Sequence, residues 1–336
     1  MIKRVLIVLA ACILALTGCS SGGGDSSAAQ TTTQTTTGSS AAATTDVRIG
    51  YISFGESFPY VHSITQGIQA AAKTAGAEVV VCDSQNDAEK ALECAKRFKL
   101  QDIDGIINYQ GDVKAAASIC AQGPDVPVIA ITIPQEPCQV SWTGADNVAA
   151  GTLAGQKVGE FVKQKYNCEY DAYVSVEVAK TGKTGIDRMG GYRSGFESVC
   201  GKIHDEKVFD TKSSAEIARA SMTDTLTALP NAHRIIVVGM DDAVIVGAIS
   251  AAASANRLGD VLVSGQGLDS SGVCGMRKYP DQWIGDTAFF PEHYGEVLVP
   301  AIIKAIKGET IDEKLPAKID FVTPETVDDY YANVTC

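Results

Sequence analysis

Short aromatic and polar clusters stand just beyond the apolar runs of this 336-residue chain. Phe54, Ser57, Phe58 and Tyr60 follow the run at 47–52, Asn108 and Thr132 close two later runs, and Arg188 comes after a run at 172–176. Asp241, Asp269 and Phe289 end the series. A carboxylate accepts two hydroxyl protons at once, an arginine donates through a rigid fork, and an aromatic ring offers an apolar face. Such a set suits recognition of a neutral polyhydroxylated molecule.

Other chemistries fit the residues less well. Asp241 and Asp242 are adjacent, so their carboxylates point in different directions, and one of them suits the cap of a helix beginning near Ala243. Thr181-Gly182-Lys183-Thr184 matches the end of a phosphate-binding loop, but Glu177 stands where that loop needs glycine, leaving an expected loop at a cleft edge. Gly265-Gln266-Gly267 lacks the third glycine of a dinucleotide fingerprint and reads as a turn. His62, His204, His233 and His293 are dispersed without metal-ligand spacing. No Gly-x-Ser-x-Gly elbow occurs. The chain is therefore expected to be no enzyme and to need no cofactor or metal. A formal net charge of −12, without basic clusters, argues against a nucleic-acid partner.

The residues must be held by a framework, and the hydrophobic pattern supplies one. Strand-like runs at 47–52, 78–82, 105–108 and 126–132 alternate with helical segments at 64–75, 88–100 and 113–122, which implies parallel pairing. Runs such as Val126-Pro127-Val128-Ile129-Ala130-Ile131 belong to strands covered on both faces. The pattern restarts with helices at 152–165, 189–199, 215–228 and 243–255 and strands at 172–176, 235–238 and 261–263. The fold class is thus α/β, two doubly wound parallel-sheet lobes whose chain crossing falls near Gly144-Ala145-Asp146-Asn147. Open α/β sheets bind ligands beyond the carboxyl ends of their strands, where the clusters above lie, so two facing lobes enclose a cleft.

The start of the chain is an address. Lys3 and Arg4 precede an apolar run at 5–16 that ends in Leu16-Thr17-Gly18-Cys19, a run too short to span a bilayer comfortably. It resembles a bacterial lipoprotein signal over 1–19, which implies that Cys19 becomes the first mature residue and carries lipid, tethering the protein on the outer side of the cytoplasmic membrane or in the periplasm. Residues 20–45 are nearly all Ser, Thr, Gly and Ala and form an expected flexible linker. Of ten cysteines, Cys12 and Cys19 belong to this leader; the remaining eight suit disulfides in an exported chain. The sequence-adjacent pairings are Cys82 with Cys94, Cys120 with Cys138, Cys168 with Cys200, and Cys274 with Cys336.

Ile49-Gly50-Tyr51-Ile52, Phe58-Pro59-Tyr60, Asp83-Ser84-Gln85-Asn86-Asp87, Asp104-Gly105-Ile106-Ile107-Asn108, Gly195-Phe196 and Gly267-Leu268-Asp269 follow one another in an order that spans the body. In these the chain resembles the type I solute-binding proteins of bacterial sugar ABC importers, nearest in pattern to the ribose-binding branch. The resemblance implies two lobes joined by a three-strand hinge: 46–145 plus 290–319 as the N-terminal lobe, and 146–289 plus 320–336 as the C-terminal lobe. It also implies a sugar or polyol closed between the lobes, delivery to permease and ATPase subunits, and action as a monomer. A ligand-sensing protein of the same fold, signalling to a receptor kinase or chemoreceptor, is the alternative.

The same resemblance places Phe54, Phe58 and Tyr60 in the first ligand loop, and makes Asp241 and Asp269 ligand carboxylates. It assigns the ligand arginine to Arg188 or Arg193, with Arg188 favoured as the one preceding its helix. The chain departs from the ribose branch at Thr132-Ile133, where an Asp-Arg pair is expected, at Phe289 in place of a ligand glutamine, and at Phe58 in place of an asparagine. A larger sugar, a cyclic polyol, a nucleoside-like compound or a partly apolar molecule all stay open.

Overall fold

A computed structural model describes residues 47–336; the leader with Cys19 and the Ser/Thr-rich linker lie outside the described residues. The N-terminal half builds a parallel sheet from β1 (Arg48–Ser53), β2 (Glu78–Asp83), β3 (Gly105–Asn108), β4 (Val128–Ile131) and β5 (Gln139–Thr143), with α1 (Pro59–Ala75), α2 (Ala88–Lys99) and α3 (Ala116–Gln122) in the connections. The strands β3 and β4 are buried along their whole length. Ile49, Tyr51, Ile107 and Ile129 fill a core on one side of the sheet, and Ile52, Phe98, Ile106 and Val128 fill another on the opposite side. Continuous apolar runs are what strands with two covered faces require.

The second sheet comes from β6 (Ala172–Glu177), β7 (Glu206–Asp210), β8 (Ile235–Gly239) and β9 (Val261–Ser264), also all parallel, in the order β7-β6-β8-β9. Around it run α4 (Asn147–Tyr166), α5 (Lys183–Cys200), α6 (Ala215–Ala228) and α7 (Asp242–Ser254). Two strands are not expected from the sequence, β5 and the edge strand β7. The β7 run Glu-Lys-Val-Phe-Asp is mostly exposed and its apolar signal is weak.

A small third sheet lies where the chain passes between the lobes. It holds β10 (Gln266–Gly267), β11 (Asp286–Ala288) and β13 (Asp320–Val322), with α8 (Ser270–Lys278) between the first two. After β11 the chain returns to the first lobe as α9 (Tyr294–Ile306), packed on α1, and as β12 (Lys314–Leu315), which extends the first sheet beside β5. It then comes back through β13 to α10 (Val327–Tyr331), which packs on α8. The segments after β5, β11 and β12 are thus three crossings between two lobes. Ala145, Ala150 and Phe289 form a small apolar cluster there, with Tyr60 and Ile319 against it.

Among the described residues four disulfides form, with the pairings given above. Cys274–Cys336 ties the chain terminus to α8.

Candidate functional site

The carboxyl ends of both parallel sheets face one cavity of about 690 Å³ of empty space, partly open to solvent. From the first lobe, Phe54 follows β1 and Phe58 caps the backbone of α1, their rings 5.3 Å apart edge to face. Tyr109, just past β3, packs on Phe54 at 5.4 Å. Thr132 follows β4 with φ of +58°, which turns the chain sharply at the cavity wall.

From the second lobe come Arg188, Asp241, Asp269 and Phe289. Arg188 is buried, its Nε and Nη2 donating to Asn147 Oδ1 at 3.1 and 2.8 Å and its Nη1 to the Met240 carbonyl at 2.9 Å. The guanidinium lies over the Phe289 ring at 4.8 Å, a cation–π contact inside the cavity. Those bonds occupy three of five N–H groups and leave two for a ligand. Arg193 instead pairs with Glu177 and Glu206, away from the lining. Of the two arginines only Arg188 lies at the cavity, but not because it precedes its helix. Both lie inside α5, which begins at Lys183 rather than near 189, because Thr181 and Thr184 turn inward at a helix start that the sequence reads as loop.

Asp241 and Asp269 each cap a helix. Asp241 Oδ1 accepts from Val244 N at the start of α7, 3.1 Å away. Burial raises its carboxyl above the usual range, against the pull of the Val244 N–H and the Ser213 hydroxyl. Asp269 Oδ1 accepts from Ser271 N and Gly272 N, while Oδ2 accepts from the Tyr60 N–H of the other lobe at 3.0 Å. Asp269 is thus both a cap and a clasp across the cleft. Further clasps are Thr184 Oγ1 donating to the Thr132 carbonyl at 3.3 Å, and Lys180, which reaches Asn86 and sits 5.7 Å from the Phe54 ring.

Two expected contacts are not at the cavity. Ser57 is exposed and borders a separate shallow depression near Gln85 and Lys212. Asn108 is buried, but its amide donates to Gln135 Oε1 at 3.1 Å and its Oδ1 accepts from Gln110 N. A place at a strand end does not decide to which face a side chain turns, and Asn108 turns away.

The sequence reading missed Gln266. Gly265-Gln266-Gly267 is not a turn: Gln266 pairs with Thr287 as part of β10 and is one of the residues lining the cavity. It also missed a buried acid pair beside it. Asp242 Oδ2 accepts from Asp269 N at 2.9 Å, and Asp286 Oδ1 accepts from Trp283 Nε1 at 2.8 Å and from Gly265 N. The remaining oxygens converge, lying 3.1 and 3.0 Å from where a Cβ on Gly265 would stand. Burial raises both carboxyls above the usual carboxylate range, that of Asp242 the further because two neighbouring carboxylates add to it.

Comparison with known proteins gives a consistent picture. The sequence profile of the family described as "periplasmic binding protein domain" matches residues 49–310. The ribose import binding protein of Bacillus subtilis (strain 168) is 24% identical over 272 residues, covering 79% of this chain and 83% of its own. An ABC transporter solute-binding protein of Mycobacterium smegmatis, solved with bound glycerol, superposes with a TM-score of 0.75 at 20% identity, covering 87% of this chain and 98% of its own. One from Bacillus halodurans C-125, solved with bound myo-inositol, superposes with a TM-score of 0.72 at 18% identity, covering 86% and 98%.

Proposed function

This chain belongs to the periplasmic binding protein domain family, and on that premise we propose that it is the extracytoplasmic solute-binding protein of an ABC importer, capturing a sugar or polyol between its lobes. The observation that carries this reading is the lining of the cavity. Aromatic rings from both lobes, Phe54, Phe58, Tyr109 and Phe289, surround hydrogen-bonding groups on Arg188, Asp241, Thr132 and Thr184. Apolar ring faces pack against the C–H faces of a sugar ring, while its hydroxyls meet fixed donors and acceptors. Ligand contacts with both lobes give differential affinity for the closed arrangement, which a permease then recognises. The lobes that move are 46–145 plus 290–319 and 146–289 plus 320–336. Lipidated Cys19 and the 20–45 linker hold the body within reach of its membrane partners.

The relatives named above carry ribose, glycerol and myo-inositol in their descriptions. The cavity here, with Phe289 under the guanidinium, is more apolar than a site lined by charged pairs and suits a ring with one hydrophobic face. The test is a thermal-shift panel of the full chain, disulfides intact, against sugars, polyols, nucleosides and amino acids, since a ligand bound only by the folded state raises Tm. A shift confined to sugars and polyols supports the reading; a shift confined to amino acids or nucleosides overturns it.

A further inference from the structure

Gln266 is 1% exposed and lines the cavity, yet among the described residues neither its Nε2 nor its Oε1 has a close hydrogen-bond partner. The one polar side chain among them within its reach is the Tyr192 hydroxyl, whose proton goes to the Gly265 carbonyl at 2.8 Å or to Ser264 Oγ at 3.1 Å, so that it can offer Nε2 only a distant acceptor and offers Oε1 nothing. The backbone of Gln266 is fixed by pairing with Thr287, and Gly267 beside it has φ of +118°, a conformation that side chains rarely adopt. The side chain is therefore positioned by a rigid strand rather than by bonds of its own. A buried carboxamide without a close partner at either end is costly unless something else pairs it.

We propose that Gln266 is a specificity-determining residue that hydrogen-bonds two adjacent hydroxyl groups of the ligand, Nε2 donating to one oxygen and Oε1 accepting from the other. This rests on the sugar-or-polyol reading and narrows it to ligands with a vicinal diol on the edge facing β10. A hydroxyl both donates and accepts, so the pairing holds for either orientation of the amide. Gln266 shares this lining with Asp241 and with Arg188, whose two uncommitted N–H groups are available to the same ligand.

The experiment compares the full chain with Gln266→Leu and Gln266→Glu, in two readouts. The first is Tm without added ligand: Gln266→Leu keeps or raises it, because two unpaired polar atoms leave the interior. A fall of several degrees shows that the amide has a structural partner and overturns the proposal. The second is titration with D-ribose, myo-inositol and glycerol, and with 2-deoxy-D-ribose, which lacks one hydroxyl of the ribose diol. The wild type prefers the intact diol, and Gln266→Leu weakens the best probe at least about tenfold and loses that preference. Gln266→Glu, which keeps an acceptor but no donor, falls between them. Unchanged affinity in Gln266→Leu overturns the proposal while leaving the sugar-or-polyol reading intact. If the wild type binds none of the probes, the diol assignment fails with that reading, and the Tm comparison still decides whether the amide is structural.

Discussion

Asp242 is the residue whose environment makes the sharpest demand. Its carboxyl is buried among the carboxyls of Asp286 and Asp269 and against the backbone of Gly265 and Gly272. Burial and the neighbouring carboxylates hold it protonated well above the usual aspartate range, whereas in the unfolded chain it titrates near an ordinary value of about 3.9. A raised value in the fold contributes stability that is full below the unfolded value and is lost as pH rises through the folded one. Asp242→Asn keeps an acceptor for Asp269 N–H and cannot ionise. Its Tm, followed against pH, is expected to gain on the wild type as pH rises from about 4 towards neutrality. A difference that is flat with pH would show that the pair shares no proton.

The residues at the strand ends were legible to different degrees for physical reasons. Phe54, Phe58, Tyr60, Thr132, Arg188, Asp241, Asp269 and Phe289 all line the cavity; periodicity reveals the strand ends near which most of them lie, whereas Tyr60 and Arg188, which lie in helices, were singled out by the family resemblance. Ser57 and Asn108 do not, because side-chain direction depends on neighbours distant in sequence. Gln266 was hidden by the glycines on either side, which signal a turn when the strand they flank is only two residues long.

At the scale of elements, the arginine is placed by a helix pair. A Cβ on Gly151 of α4 would lie 2.0 Å from the Arg188 carbonyl oxygen of α5, and one on Gly191 would lie 2.7 Å from the Val148 carbonyl. Only glycine permits this approach. Gly151→Ala is expected to force the helices apart, lowering stability by about 1–3 kcal/mol in denaturant titration and weakening ligand binding through Arg188. Unaltered stability and affinity would mean that the pair relaxes without moving the arginine.

The disulfides act at the same scale. Cys274 and Cys336 enclose a separation of 62 residues, Cys82 and Cys94 one of 12. In the chain-entropy account the longer loop is worth about 4 kcal/mol and the shorter about 3 kcal/mol. Replacing Cys274 and Cys336 with Ser is therefore expected to lower Tm more than the same change at Cys82 and Cys94. The reverse order would show that native contacts, not chain entropy, dominate the ties. The alternating helices and strands that these bonds staple were readable from hydrophobic period alone. Strands β5 and β7 were not, since a partly exposed strand carries less apolar signal.

At the scale of the whole molecule, function depends on how strongly the lobes hold each other. Lys180 reaches across the cleft to Asn86 and to the face of Phe54, a contact that forms only when the lobes meet. Lys180→Met is expected to shrink the population of the closed arrangement, and apparent affinity falls with that fraction. The expected outcome is ligand release several-fold faster in stopped-flow measurements, equivalent to about 1 kcal/mol, with association little changed. A slower association at constant release rate would place Lys180 in capture rather than in closure.

The central claim is that a sugar or polyol is held reversibly between the lobes by ring faces and by groups from both sides. Isothermal titration of the full chain with the polyol that gives the largest thermal shift, set beside Phe289→Ala, tests it most directly. The account predicts saturable one-to-one binding, loss of about tenfold or more in affinity on removing the ring beneath Arg188, and recovery of the ligand chemically unchanged. Binding that is indifferent to Phe289, or a ligand recovered as a different compound, would contradict it.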